Sequence, residues 1–116
     1  MLMAQIKTPL NKIKDKLSQM HREAEERDAK RRADKSGYPY SDLSTAPINI
    51  EALKLIPEES AKWAKIAAIE LKEKKIALVA FDPDDSGAKT IIEKLKSEGY
   101  LPSIFVVSLA GLNHVW

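Results

Sequence analysis

The 116-residue chain has no cysteine. Without thiols it can form neither a disulfide framework nor a thiolate zinc site, and it offers no cysteine nucleophile. Such a composition fits a reducing compartment, so the sequence predicts a cytoplasmic protein.

Long apolar runs are also missing. The longest, residues 76 to 81, is far shorter than the roughly 20 residues that a membrane-spanning helix needs. The first six residues, MLMAQI, lack the charged leader and the cleavage site of a secretory signal. We therefore expect neither a membrane span nor export. The length and the 44% apolar fraction are those of one globular domain.

Net charge is small, but the charges are unevenly placed. The formal net charge is +2. Residues 1 to 36 contain ten Lys/Arg and six Asp/Glu, whereas residues 37 to 116 contain nine Lys/Arg and eleven Asp/Glu. The run Lys30, Arg31, Arg32 is diluted by acidic neighbours and has no interleaved aromatic residue for stacking on bases. We interpret it as a solvated helix face. No nucleic-acid partner is expected, with a small nucleic-acid-binding adaptor as an alternative.

A long amphipathic helix is predicted before residue 37. Thr8 and Pro9 form an N-cap followed by proline at the first helical position, and Gly37 is suited to end the helix near Ser36. The second half of this helix is almost wholly charged or alanine. Apolar residues spaced three or four apart form a seam in the first half, which is the candidate interaction surface: Ile6, Leu10, Ile13, Leu17 and Met20.

Residues 37 to 116 are predicted to form a small α/β domain. An extended segment should be followed by a short helix from Asn49 to Leu55 and by a second helix that opens at Pro57 and carries Trp63. Trp63, with Tyr38 and Tyr40, is predicted to pack in the core or at a sheet edge, because large aromatic side chains dominate cores.

The apolar pattern of the second half predicts the sheet. Residues 66–71 and 75–81 should form a hairpin, and residues 103–107 a further strand reached through a helix that ends at Gly99. We expect an α/β sandwich with a mixed sheet of about three or four strands packed by helices, including a parallel crossover. Ser108 should cap a last helix that looks unfinished, so the domain is expected to be truncated at its C-terminus.

One loop resembles an EF-hand. Oxygen-bearing side chains and a glutamate at position twelve match the spacing of calcium ligands: Asp82, Asp84, Ser86 and Glu93. The preceding residues are strand-like, however, and Lys89 occupies a position that is normally aliphatic. We interpret the loop as a turn with an N-cap at Asp84 or Asp85. Neither a metal nor a cofactor is expected, and calcium sensing stays an alternative.

Nothing in the sequence indicates an active site. The two histidines, His21 and His114, have no third ligand at a suitable spacing. A nucleophile elbow of the type Gly-x-Ser-x-Gly is also missing. We predict no catalytic residues.

A string of residues resembles the N-terminal domain of the type II secretion and type IV pilus assembly ATPases. It comprises YPYSDL at residues 38–43 and PINIEALKLIPEE at residues 47–59, followed by the hairpin, AFDP at residues 80–83 and the closing strand. The resemblance covers roughly residues 23 to 116.

This resemblance implies an accessory domain that docks a hexameric ATPase on the inner-membrane platform without itself catalysing hydrolysis. The expected partners are the platform protein and the rest of the same ATPase, with the chain peripheral at the inner membrane and its membrane contact indirect. Some relatives bind cyclic di-GMP through a repeated motif with Arg-Leu-Gly, which this sequence lacks. Because the motif is missing, a cyclic-dinucleotide sensor is kept only as an alternative function.

Overall fold

The computed structural model describes residues 21–116. The predicted start of the long helix and the whole seam from Ile6 to Met20 lie outside these residues. The described elements, in chain order, are α1 (residues 21–36), α2 (Ile50–Leu53), α3 (Glu58–Ala64), β1 (Ile66–Lys72), β2 (Lys75–Ala80), α4 (Ser86–Ser97), β3 (Leu101–Val106) and α5 (Leu109–Val115).

The sheet is mixed and has the order β1-β2-β3. β1 and β2 form the antiparallel hairpin, and β2 pairs in parallel with β3. Tyr40 adds a single parallel bridge to Val106, so the predicted extended segment contributes one residue to the sheet. The predicted α/β class, with a small mixed sheet packed by helices, is confirmed.

Helices cover both faces of this sheet because the strand residues alternate between two apolar clusters. On one face, α3 and α4 cover residues including Ile66, Ala68, Ile76, Leu78 and Ala80. On the other face, α5 and the segment after α1 cover Ala67, Ile69, Val79 and Val107, with Leu43 and Leu112. β2 lies between its neighbours and is the central strand, as its continuous apolar run predicts.

Local signals set most helix ends. Asn49 caps α2 by accepting a hydrogen bond from the Glu51 amide, and Ser108 caps α5 in the same manner through Gly111. Gly37 takes a φ of +80° just after α1, as a C′ glycine does. Pro57 is the N-cap of α3 and not its first helical residue, a shift of one position from the prediction.

Two side-chain predictions were wrong. Trp63 is 76% exposed and is not part of the core, because the buried side of α3 is formed by Ala61 and Ala64. The run Lys30, Arg31, Arg32 is not solvated throughout, since Arg32 is half-buried and donates to backbone carbonyls of the domain.

Candidate docking surface

Two large apolar side chains, one on α2 and one on α3, are exposed at the surface of the domain. Ile50 at the start of α2 is 68% exposed and Trp63 near the end of α3 is 76% exposed. Between them, Ile56 and Pro57 line two grooves that adjoin at this pair. We call these four residues and the two grooves the Ile50/Trp63 surface.

The groove between α3 and α4 has a volume of about 320 Å³ and includes Trp63, Gly87 and Ile91 in its lining. The indole lies directly over Gly87, and a Cβ atom at that position would be 2.7 Å from Trp63 Cζ3. Glycine thus permits the close approach of the ring to the first turn of α4. Asp85 caps this turn by accepting from the Gly87 amide at 3.0 Å.

The groove between α2, α3 and α5 has a volume of about 440 Å³. Its apolar lining includes Ile50, Leu53, Val115 and Trp116. The Nε1 of Trp116 is buried without a hydrogen-bond partner in the described part of the chain. The two grooves together form a nearly continuous apolar strip.

Charges around this strip are balanced. Lys54 and Glu58 lie beside one groove, and Lys94 and Glu98 beside the other. Glu58 also forms an exposed ion pair with Lys62 at 2.9 Å, which contributes little to stability. An apolar strip with a mixed-charge rim has the composition of a protein contact surface, in which aromatic anchors carry much of the binding energy.

Arg32 anchors α1 at the C-terminal end of the parallel strand pair. Its Nε donates to the Phe81 carbonyl at 3.0 Å and its Nη2 donates to the Val107 carbonyl at 3.3 Å. The guanidinium also lies 3.8 Å from the centroid of the Phe81 ring. Sequence reasoning missed this role, and the signal that could have shown it is the alanine pair Ala29 and Ala33, which marks the inward side of α1.

Tyr40 makes a second contact with α1, since its hydroxyl donates to Glu26. Burial, together with the hydrogen bond to Glu26 and its negative charge, raises the pKa of Tyr40 well above its usual value of 10.0. Tyr40 therefore stays protonated while it links the sheet edge to α1.

The EF-hand-like residues are not brought together as a metal site. Asp82 accepts a hydrogen bond from the Asp84 amide at 3.0 Å, while Glu93 pairs with Lys96 at 3.6 Å on the exposed side of α4. Ser86 begins α4, and its carbonyl accepts from Thr90. Within residues 21–116, no three acidic, histidine or cysteine side chains are grouped so that they could hold a metal ion. The residues form the predicted turn, with Asp85 as the cap.

The two histidines are exposed and lie on different helices, α1 and α5. In the part of the chain that is described, no helix has both the length and the apolar character to cross a bilayer.

The class that this fold defines is a small α/β domain whose open mixed sheet is covered by helices on both faces. The solved structures that share it include a structure of MshE with cdg and the structure of the N-terminal domain of XpsE. Both neighbours are N-terminal domains of type II secretion or type IV pilus ATPases. The resemblance noted in the sequence is thus confirmed at the level of the fold.

The MshE structure matches with a TM-score of 0.63 and 23% identity, over 71% of this chain and 58% of that one. The XpsE structure matches with a TM-score of 0.60 and 19% identity, over 78% of this chain and 63% of that one. This chain therefore spans about three fifths of the length of each. No family profile and no curated protein matches the chain.

Proposed function

We propose that this chain is an accessory docking domain of a type II secretion or type IV pilus assembly ATPase. It binds the cytoplasmic part of the inner-membrane platform protein and carries no catalytic step itself. The observation that supports this proposal is the fold shared with the N-terminal domains of MshE and XpsE. The chain would lie in the cytoplasm, peripheral to the inner membrane.

Two surfaces are available for docking. The Ile50/Trp63 surface offers an exposed indole and an exposed isoleucine beside apolar grooves, which suits an amphipathic segment with aliphatic anchors. The second candidate is the apolar seam of the N-terminal helix, Ile6, Leu10, Ile13, Leu17 and Met20, which the sequence predicts. We assign the platform contact to the first surface and contacts with the rest of the ATPase to the seam.

The experiment is titration calorimetry of this chain with the cytoplasmic part of the platform protein. Trp63→Ala should weaken binding at least tenfold, since a central aromatic anchor contributes about 2 kcal/mol or more. Ile50→Ser should weaken it several-fold. Leu101→Ser is the matched control, because Leu101 is 62% exposed but lies at the far end of the sheet. Equal affinity for all variants, or no binding at all, would contradict the proposal.

The competing function is cyclic-dinucleotide binding, favoured by the fold shared with the structure of MshE with cdg. The lack of Arg-Leu-Gly in this sequence opposes it. Calorimetry with cyclic di-GMP separates the two functions. We expect no heat of binding, whereas a Kd below about 10 μM, equivalent to about −7 kcal/mol, would favour the sensor.

A further inference from the structure

The hairpin turn gathers three lysines at one end of the sheet. Lys72 and Lys75 are direct partners across the β1–β2 ladder, and Lys74 lies in the two-residue turn between them. Like charges placed directly opposite each other destabilise an antiparallel pair. The fold therefore tolerates an electrostatic cost at this position.

The positive charge of these lysines is only partly neutralised within the described residues. The ion pairs between described residues, at 2.9 to 3.7 Å, involve other side chains. The ammonium of Lys74 lies 5.2 Å from the centroid of the Tyr100 ring, which holds it at the surface without cancelling its charge. Glu73 offsets one of the three positive charges.

An exposed apolar side chain stands beside the lysines. Leu101, the first residue of β3, is 62% exposed and pairs in register with Lys75. Its amide donates to the Lys74 carbonyl at 2.8 Å, which fixes the leucine next to the turn. We call this group the lysine tip; it consists of Lys72, Lys74, Lys75, Tyr100 and Leu101.

The tip has the character of a membrane-contacting surface rather than of a pocket. Its side chains line none of five cavities found within residues 21–116. Lysine ammonium groups on flexible stems act as point charges without the planar fork by which arginine recognises a single carboxylate. The lysines surround one leucine and one tyrosine. This arrangement complements the surface of a bilayer, in which anionic headgroups lie over an apolar layer.

We propose that the lysine tip binds the surface of an anionic phospholipid bilayer, with Leu101 entering the headgroup region and the three lysines contacting lipid phosphates. This contact is direct, unlike the indirect membrane contact that the family resemblance implies. It rests on the hairpin and β3 alone and does not depend on the proposed docking function.

The test is co-sedimentation of the full 116-residue chain with vesicles of phosphatidylglycerol and phosphatidylethanolamine at low ionic strength. The variant Lys72→Gln/Lys74→Gln/Lys75→Gln should reduce the partition coefficient about a hundredfold, because each lysine near an anionic surface contributes roughly fivefold. Leu101→Ser should reduce it several-fold. Raised salt should weaken binding, and phosphatidylcholine vesicles should not bind.

Each of two control variants removes three lysine charges at another place in the chain. One replaces the exposed lysines of α4, Lys89, Lys94 and Lys96, and the other replaces Lys12, Lys14 and Lys16 of the N-terminal segment, each by glutamine. Either control should change the partition coefficient by less than about threefold if vesicle binding depends on the charges at the lysine tip. Circular dichroism verifies that each variant folds.

Three outcomes would overturn the proposal. Wild-type partitioning by the tip variant would show that the lysines do not contact lipid. An equal loss in all three triple variants would show that the overall charge of the chain drives binding. A tip variant that binds vesicles like wild type but no longer binds the platform protein would identify an acidic protein surface as the partner of the lysines.

Discussion

At the scale of single residues, neighbouring arginines of α1 have different roles. Arg31 is largely exposed and forms one weak pair with Asp28 at 3.6 Å. Arg32 turns inward and donates to the carbonyls of Phe81 and Val107, which directly follow the two parallel strands. A charged run in a helix can thus hold one half-buried anchor when a neighbouring alanine pair faces the rest of the domain.

We predict that Arg32→Ala lowers the free energy of unfolding by about 2 kcal/mol, because it leaves two carbonyls without their charged donor. Arg31→Ala, the matched control, should change it by no more than about 0.5 kcal/mol. Arg32→Lys should not restore the loss, since lysine lacks the fork that reaches both carbonyls. Urea unfolding measures all three variants. Equal effects of the two alanine variants would contradict this account of Arg32.

Tyr40 predicts a pH dependence of stability. Its pKa is raised in the folded state by burial and by Glu26, so the folded protein holds the phenolic proton more tightly than the unfolded chain. The linked stability is complete below pH 10 and is lost as the pH rises through the raised folded pKa. Tyr40→Phe should remove this part of the alkaline decline, whereas Tyr38→Phe should retain it. Urea unfolding between pH 9 and 11 measures the decline, and equal slopes for Tyr40→Phe and wild type would argue against the role of Tyr40.

At the scale of elements, the strands and the α4 helix could be predicted because their apolar periods match the observed faces. Ile76, Leu78 and Ala80 alternate with Val79 across the sheet, and Gly99 ends α4 with a φ of +95°. These signals are local, so the sequence contains them in full.

The exposed position of Trp63 could not be predicted in this way. Small residues form the buried side of α3. The general preference of aromatic residues for cores therefore placed Trp63 on the wrong side of this helix. The contact of the indole with Gly87 joins two helices distant in sequence, and no local pattern shows it. The docking surface is therefore a product of tertiary packing.

The hairpin turn provides a prediction of its own. Glu73 takes a φ of +59°, in the left-handed region that non-glycine residues enter at a cost of about 1 to 2 kcal/mol. Glu73→Gly should therefore raise the free energy of unfolding, by about 0.5 to 1 kcal/mol after the entropy cost of glycine. Lys74→Gly is the control and should lower it, since Lys74 does not have a positive φ. Thermal unfolding of both variants measures the effect, and a destabilised Glu73→Gly protein would disprove the strain at this position.

At the scale of the whole molecule, the two proposed contact regions lie on different elements. The Ile50/Trp63 surface lies along α2, α3 and α4, and the lysine tip lies where the β1–β2 turn meets the start of β3. The domain could therefore bind a platform protein through an apolar strip while its hairpin end lies against anionic lipid. Leu101→Ser and Ile50→Ser distinguish these contacts, because each should impair only one.

Hydrogen exchange followed by mass spectrometry, on the chain alone and saturated with the cytoplasmic part of the platform protein, tests the docking claim most directly. We predict slower exchange in residues 50 to 64, which hold α2 and α3, and unchanged exchange in the hairpin turn. A complex that leaves residues 50 to 64 unprotected would contradict the assignment of the docking surface, and the lack of any complex would contradict the docking function itself.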